Sequence, residues 1–290
     1  MTERTPSGRP GAHAAARGGQ PPPPAQVRGS RQGYAVLRGV GALVAALMIT
    51  GSSLSLVPSM ARQEATSVEV LEAAALDTLE QAGTVLVEGG RGGVVVRELR
   101  TGETPTVTLH SRWSFREPEL RVDEGPGGGL LVSAPCPDGN WGNCTADIRL
   151  SVPAGTAVEV RASLGDVDVV STGDVTVVSS LGDVTVAGAP GQVKVQTSLG
   201  DIRVSGTPQT VLAEASLGTI RVQAEVPPDL VSATASLGDV RLEVPGGVSY
   251  AVDSDTSGGD EDIRVVRDPD APHTLRARTS LGTIRMVPVG

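Results

Sequence analysis

A short motif, Ser-Leu-Gly, recurs through the second half of this 290-residue chain at nearly constant spacing. Asp or Thr follows the motif, and Ile or Val comes next, as in TSLGDIRV at 197–204. The longest gap between copies has room for one diverged copy around Ser257, in SGGDEDIRV. The six motifs begin 17, 18, 18, 20 and 44 residues apart, at Ser163, Ser180, Ser198, Ser216, Ser236 and Ser280. Because a period near 18 is typical of solenoids and arrays, the sequence predicts stacked turns.

One turn of the repeat reads as strand, corner, strand, corner. QVKVQT (192–197) and DIRVSG (201–206) alternate apolar and polar residues with a period of two, as half-buried strands do. The segment STGDV (171–175) falls half a period away from the SLG motif, so it belongs to the opposite corner. The sequence therefore predicts an all-β fold, a two-sheeted β-solenoid with about 18 residues per turn.

Aligning the turns on the SLG motif predicts the core. Five inward columns begin at Val158, Val160, Ala162, Val167 and Val169 and recur in each later turn. The leucine of the motif continues the inward parity, so Leu164 and its counterparts are predicted to fill the corner. The glycine then shifts the register, since it can adopt the positive φ that such a corner requires.

Two polar columns follow the glycine, and both are predicted to face solvent. The first column comprises Asp166, Asp183, Asp201, Thr219, Asp239 and Thr283. The second comprises Asp168, Thr185, Arg203, Arg221, Arg241 and Arg285, with Arg264 assigned to it from the diverged turn. The candidate binding face consists of Asp183, Asp201, Asp239, Arg203, Arg221, Arg241, Arg264 and Arg285.

Four interpretations of these columns compete. Calcium binding needs six to eight oxygens, more than one Asp or Thr per turn supplies. Polysaccharide cleavage needs paired carboxylates in a cleft, whereas these acids are spaced along a flat face. The arginine column could meet the phosphates of a wall polymer. The favoured interpretation is structural: Asp and Thr both offer an oxygen to a backbone N–H in the turn, so exchanging them preserves a capping role. No cofactor or metal is expected.

The N-terminal third of the chain predicts a membrane anchor. Residues 1–33 are rich in Pro, Gly and Arg and are expected to be disordered. The charge-free run at 39–57 can span the roughly 30 Å hydrocarbon layer, so we predict a signal-anchor helix at 34–60. A cleaved signal peptide and a buried core helix are the alternatives. Six arginines precede the run against one acid, which places the N-terminus in the cytoplasm and the rest outside the cell membrane.

Charge and cysteine content agree with an extracytoplasmic location. Residues 1–62 contain seven basic residues and one acid, whereas the remainder contains 17 basic and 32 acidic residues, which disfavours nucleic-acid binding. The only cysteines, Cys136 and Cys144, bound CPDGNWGNC and favour a disulfide; free thiols or a metal site are the alternatives. Residues 61–82 are a juxtamembrane segment of ambiguous structure. Residues 83–155 should form irregular β turns and a cap with the Cys loop, and residues 156–290 the regular solenoid.

The combination of these segments resembles a bacterial family. VEGGRGGVVV, a Cys-bounded loop, IRLSVPAGTAVEVRASLGDVDV and the repeated SLGDI/V are similar to the DUF4097 family, over about residues 80–290. The Arg-rich tail and single span resemble its actinobacterial membrane-anchored members. The resemblance implies a β-solenoid ectodomain and carries an adhesin label that rests largely on fold.

These observations predict a single-pass membrane protein that displays a non-catalytic β-solenoid. The first hypothesis is an adhesin or surface interaction module that binds a cell-envelope component or a surface protein. The second is an envelope-stress sensor whose tail meets a cytoplasmic partner. A polysaccharide-active enzyme ranks last, because neither paired carboxylates nor aromatic platforms are evident.

Overall fold

The structure is a computed structural model that describes residues 65–71, 83–138, 143–171 and 173–289. The predicted tail at 1–33, the predicted anchor at 34–60 and Trp141 lie outside the described residues. Within the ranges that are described, no helix has the length and apolar character needed to cross a membrane. The chain is all β, as predicted, apart from a single 3-10 turn at Pro126–Gly128.

The described residues form twenty-two strands. In chain order they are β1 (Ala65–Leu71), β2 (Thr84–Arg91), β3 (Val94–Glu98), β4 (Thr106–Trp113), β5 (Arg121–Glu124), β6 (Leu130–Ser133), β7 (Cys144–Val152), β8 (Ala157–Leu164), β9 (Val167–Ser171), β10 (Val175–Leu181), β11 (Val184–Gly188), β12 (Gln192–Leu199), β13 (Ile202–Gly206), β14 (Thr210–Leu217), β15 (Ile220–Ala224), β16 (Leu230–Leu237), β17 (Val240–Pro245), β18 (Ser249–Gly258), β19 (Glu261–Ile263), β20 (Val266–Arg267), β21 (Thr274–Leu281) and β22 (Ile284–Val289).

Two sheets of eleven strands each contain all of these strands. Sheet A has the order β1-β4-β7-β3-β9-β11-β13-β15-β17-β22-β19, and sheet B has the order β20-β18-β21-β16-β14-β12-β10-β8-β2-β6-β5. Each repeat supplies one strand to sheet B, turns at the SLG motif and supplies the next strand to sheet A. Strands of successive repeats pair in parallel and in register, so that Val177 lies between Val160 and Val195. The predicted two-sheeted solenoid is confirmed over these repeats.

The core lies between the two sheets and consists of the predicted columns. Val167, Val184, Ile202 and Ile220 are fully buried, as are their later counterparts. Small residues occupy the column next to the SLG motif, where Ala162, Ser179, Thr197, Ala215, Ala235 and Thr279 are all buried. Each buried aliphatic side chain contributes roughly 1.5–3 kcal/mol relative to exposure. The core therefore grows by a similar increment with every turn.

The corner at the SLG motif, called here the SLG corner, depends on its glycine. Gly200 has a φ of 141°, which favours a residue without a side chain. A Cβ at this position would also lie 2.0 Å from the carbonyl oxygen of Gly182 in the preceding turn. The glycines are stacked this closely because each N–H donates to the leucine carbonyl of the next turn, as from Gly182 to Leu199 at 3.0 Å. The predicted positive φ is confirmed.

The prediction that the motif leucines point inward is wrong. All six side chains are exposed, at 43% for Leu164, Leu181, Leu217 and Leu237, 47% for Leu199 and 57% for Leu281. The register shift therefore precedes the glycine rather than following it. In β12 the buried Thr197 is followed by two exposed residues, Ser198 and Leu199. Strict alternation ends at the serine, because the chain is already bending there.

The last turns are stacked out of chain order. The diverged copy forms β18 and β19, but β18 pairs with β21 rather than with β16. The final segment, β21 and β22, is thus inserted between the turn of β16 and β17 and the diverged turn. Salt bridges join the inserted and diverged turns: Arg278 lies 3.1 Å from Asp253, and Arg276 lies 3.9 Å from the same carboxylate.

The N-terminal end of the stack begins with a regular turn. Strands β2 and β3 pair in parallel with β8 and β9 and turn at Arg91 and Gly92, where Arg91 is in register with Leu164. Beyond this turn, antiparallel strands close both sheets, β4 and β1 in sheet A and β5 in sheet B. A disulfide joins Cys136 to Cys144, as predicted, and connects the segment after β6 to the start of β7.

Candidate functional site

The Asp and Arg columns lie along one edge and one face of sheet A. The Asp follows the corner glycine, and the Arg is the second residue of the sheet A strand. The parallel register places Thr185, Arg203, Arg221, Arg241 and Arg285 side by side on successive strands. The fold thus brings four arginines into one column, about 4.8 Å apart.

Each corner aspartate is a backbone cap for the next turn. Its Oδ1 accepts a hydrogen bond from the N–H of the equivalent residue one turn on, rather than from a group in its own turn. The four bonds run from Asp183 to Asp166 at 2.9 Å, from Asp201 to Asp183 at 2.9 Å, from Thr219 to Asp201 at 2.9 Å and from Thr283 to Asp239 at 2.7 Å. The capping interpretation is therefore correct for the aspartates, but the partner is the neighbouring turn.

Threonine does not reproduce this cap. Across the described ranges, no hydrogen bond joins the Thr219 hydroxyl to the N–H of Asp239. The predicted equivalence of Asp and Thr is thus wrong, because the shorter hydroxyl side chain does not bridge the turns. The two threonine turns instead remove a negative charge from the column while retaining the arginine two positions on.

Arg203 is clamped between two turns. Its Nη1 lies 3.1 Å from Oδ2 of Asp183, and its Nη2 lies 2.9 Å from Oδ2 of Asp201. The hydrogen bond from the Asp201 N–H, together with Arg203, lowers the pKa of Asp183. The hydrogen bond to Asp183 in turn raises the pKa of Arg203. These side chains are about half exposed, so solvent screening keeps the pairs weak.

The assignment of Arg264 to the arginine column is wrong. In the diverged turn Asp262 is in register with Arg285, and Arg264 lies two residues further along. Asp262 binds both neighbours, with 2.8 Å to Nε of Arg264 and 3.4 Å to Nε of Arg285. The hydrogen bond from Arg264 lowers the pKa of Asp262. The column therefore ends in a carboxylate, which the irregular spacing of this turn concealed.

Arg221 is the exposed cation in the middle of the column. Among the described residues no carboxylate lies within salt-bridge distance of it, whereas Arg203 is paired as above and Arg241 is bonded to Glu243. The reason is local: Thr219 replaces the aspartate in its own turn. Like charges on adjacent strands repel, so the column gains from an anion at Arg221.

The arrangement favours binding over catalysis. The capping aspartates use an oxygen to fix backbone, and they line a flat face rather than a cleft. No group of three or more His, Cys, Asp and Glu side chains within the described ranges is placed to hold a metal ion. Sequence reasoning placed Asp183, Asp201, Asp239, Arg203, Arg221, Arg241 and Arg285 correctly on the outer surface, but it missed Asp262 and the exposure of the leucines.

Comparison with known proteins gives one family match. The sequence profile described as Toastrack DUF4097 matches residues 145–280. No curated protein matches the chain.

Two solved structures illustrate the similarity of fold search results. The crystal structure of a "putative adhesin" from Bacteroides fragilis NCTC 9343 has 14% identity and a TM-score of 0.47, with 78% of this chain and 98% of that chain covered. That of a "putative cell adhesion protein" from Clostridium sporogenes ATCC 15579 has 10% identity and a TM-score of 0.39, with 78% of this chain and 100% of that chain covered.

Proposed function

Residues 145–280 belong to the Toastrack DUF4097 family, and on this premise we propose that the chain is a non-catalytic surface interaction module. In this proposal an anchor at 34–60 holds the solenoid on the outer side of the cell membrane, with the N-terminus in the cytoplasm. The solenoid then binds an anionic component of the cell envelope through the arginine column of sheet A. It is an adhesin-like role, since binding itself is the activity.

The observation that carries this proposal is the in-register arginine column centred on Arg221. Four guanidinium groups at strand spacing match a polymer with regularly repeated negative charges, and guanidinium binds phosphate and carboxylate in a bidentate manner. The backbone caps hold the strands that carry these groups in register. A preorganised charged face loses little conformational entropy on binding. The rest of the described surface, which is acidic, repels the same polymer and limits binding to this column.

The pattern of replacement at the corner also supports a non-catalytic role. A catalytic carboxylate could not be exchanged for threonine in two of six turns without losing its chemistry. The aspartates that are retained accept backbone N–H groups, which favours their charged, acceptor-only form. These residues are thus suited to support the face rather than to transfer protons.

A pull-down with the full-length chain tests the proposal. Cell-wall fractions are incubated with the wild-type protein and with the double variant Arg221→Gln and Arg241→Gln, at low and at physiological salt. Two lost charge contacts of about 1 kcal/mol each predict binding weakened by at least about tenfold. The control is Arg161→Gln, which removes an exposed arginine from sheet B. Equal binding by the double variant and the control would exclude the arginine column.

The tail at 1–33 favours a second function, that of an envelope-stress sensor. Its QPPPP segment at 20–24 has the composition of a proline-rich recognition element for a cytoplasmic partner. Deleting residues 1–33 separates the two functions. An adhesin retains wall binding and its cellular effect without the tail, whereas a sensor retains binding and loses the downstream response.

A further inference from the structure

The six motif leucines form a continuous apolar strip, called here the leucine ridge. They are Leu164, Leu181, Leu199, Leu217, Leu237 and Leu281, and they are paired in register on successive strands of sheet B. At strand spacing, five steps make the ridge about 24 Å long. Every one of these side chains is exposed by 43% or more. A single exposed leucine is ordinary, but a contiguous strip is typical of an interaction site.

The corner itself does not require leucine. In the first regular turn the equivalent position is Arg91, and in the diverged turn it is Gly258. Both turns keep the corner geometry, with a φ of 143° at Gly92 and 158° at Gly259. The fold therefore accepts a charged residue or no side chain at this position. Leucine is confined to the six consecutive turns between these two ends, so its presence there needs a reason other than folding.

The columns beside the ridge differ in charge. On the sheet B side lies a column of exposed serines, Ser163, Ser180, Ser198, Ser216, Ser236 and Ser280. On the sheet A side lie the corner aspartates. A hydroxyl donates a hydrogen bond to a carboxylate, whereas two carboxylate columns repel each other by about 1 kcal/mol per exposed pair. An occupant of the ridge must therefore present donors to the aspartates.

We propose that the leucine ridge is the contact surface for a second copy of this chain, with the two stacks side by side and parallel. A two-fold axis along the ridge brings each leucine to its own counterpart, because both copies have the same turn spacing. It also sets the serine column of each copy against the aspartate column of the other. The antiparallel arrangement sets aspartates against aspartates, so charge selects the parallel pair.

The size of the ridge predicts a weak association. A strip about 24 Å long, with a flanking column on each side, covers about 500 Å² per copy, or about 1,000 Å² in total. This is at the lower limit of specific protein interfaces, so dimerisation should depend on concentration. The inference does not rest on the anionic ligand proposed above, because the ridge lies on the corner and the arginine column lies on sheet A.

Single cysteines test both contact and orientation. The two native cysteines are disulfide-bonded, so Leu164→Cys, Leu199→Cys and Leu281→Cys each add one free thiol to the full-length chain. After mild oxidation, all three variants should give a reducible dimer of twice the 29.5 kDa chain mass. Val170→Cys, which is 52% exposed on sheet A, is the matched control and should stay monomeric.

A charge variant completes the test. Because Arg91 shows that the corner tolerates arginine, Leu199→Arg should fold with an unchanged melting temperature. Placed in the Leu281→Cys background, it should reduce cross-linking at least about fivefold. Cross-linking through Leu199→Cys alone, without Leu164→Cys and Leu281→Cys, would indicate the antiparallel arrangement and overturn the proposal. Equal cross-linking by Val170→Cys, or none by any ridge variant, would overturn it as well.

Discussion

The two corners of each turn obey different rules. At the SLG corner two residues always separate the strands, as Gly200 and Asp201 do between β12 and β13. At the opposite corner the connection has three residues at 189–191 and 207–209 but five at 225–229. The SLG corner has a glycine with φ between 129° and 158° in every turn, whereas the column at the opposite corner contains Ser171, Gly188, Gly206 and Ala224.

This difference shows how the stack keeps its register. At the SLG corner, backbone lies on backbone and each aspartate caps the next turn, so length and sequence are constrained together. The opposite corner has looser packing and absorbs the variation in repeat length. One corner thus determines which residues face the core, and the other allows the sequence to vary. Four experiments examine this contrast, in decreasing order of expected effect.

Inserting one serine should have opposite outcomes at the two corners. Between Gly200 and Asp201 it reverses the parity of β13, turning Ile202 and Val204 outward and Arg203 inward. The lost burial costs about 5 kcal/mol, which approaches the stability of a typical domain. Between Thr207 and Pro208 the insertion should cost less than about 0.5 kcal/mol, because a longer loop adds little closure entropy. Denaturant unfolding of both variants measures the difference; similar losses at both sites would refute the contrast.

Replacing Gly200 by alanine should be the largest single-substitution effect. The positive φ costs about 1–2 kcal/mol, and the approach of Cβ to the Gly182 carbonyl adds about 1–3 kcal/mol of strain. Gly90→Ala is the control, since it has no positive φ and no atom would lie within 4 Å of its Cβ. That control should change the unfolding free energy by less than about 0.5 kcal/mol. A stable Gly200→Ala protein would show that the stacked corner can relax.

The unequal roles of Asp and Thr at the SLG corner give the third test. Asp183→Ala removes the acceptor of the Asp201 N–H and should cost about 1–2 kcal/mol. Thr219→Ala removes no cap and should cost less than about 0.5 kcal/mol. Asp183→Asn retains an acceptor oxygen, so its melting temperature should lie between those of the wild type and Asp183→Ala. Equal effects of the two alanine substitutions would contradict the capping role.

Acid titration should give the smallest effect. The folded-state pKa of Asp183 is below its ordinary value of 3.8, so this group stabilises the fold fully above about pH 4. The contribution is lost as the pH falls through the folded pKa. Because Asp183 is about half exposed, we expect less than about 0.5 kcal/mol. Asp183→Asn should flatten the stability profile below pH 4 relative to the wild type; parallel profiles would exclude this coupling.

Much of the fold could be read from the sequence, because the repeat gives each column several independent observations. Val193, Val195, Ile202 and Val204 are buried as the period of two predicts. The disulfide followed from the spacing of the two cysteines and the turn residues between them. The outer position of Arg203 followed from the same parity, so the predicted binding face is largely correct in its placement.

The errors arise where local parity does not determine geometry. Leu199 was assigned inward because the alternation was extended through a residue that already belongs to the corner. The place of Arg264 was inferred from spacing in a turn whose strand is one register step different. The stacking order of the final turns was missed because parallel pairing is a long-range choice, and Asp253 with Arg276 and Arg278 favours it only once the turns are adjacent.

The inserted final turn has a consequence for biosynthesis. A chain that leaves the ribosome or a translocation channel N-terminus first releases β18 and β19 before β21 and β22 exist. The neighbour on which the diverged turn rests is therefore the last segment to emerge. The earlier turns can stack as they are made, each on its predecessor. This end of the stack can reach its final order only after the chain has been released, so completion of the fold also reports that synthesis is complete.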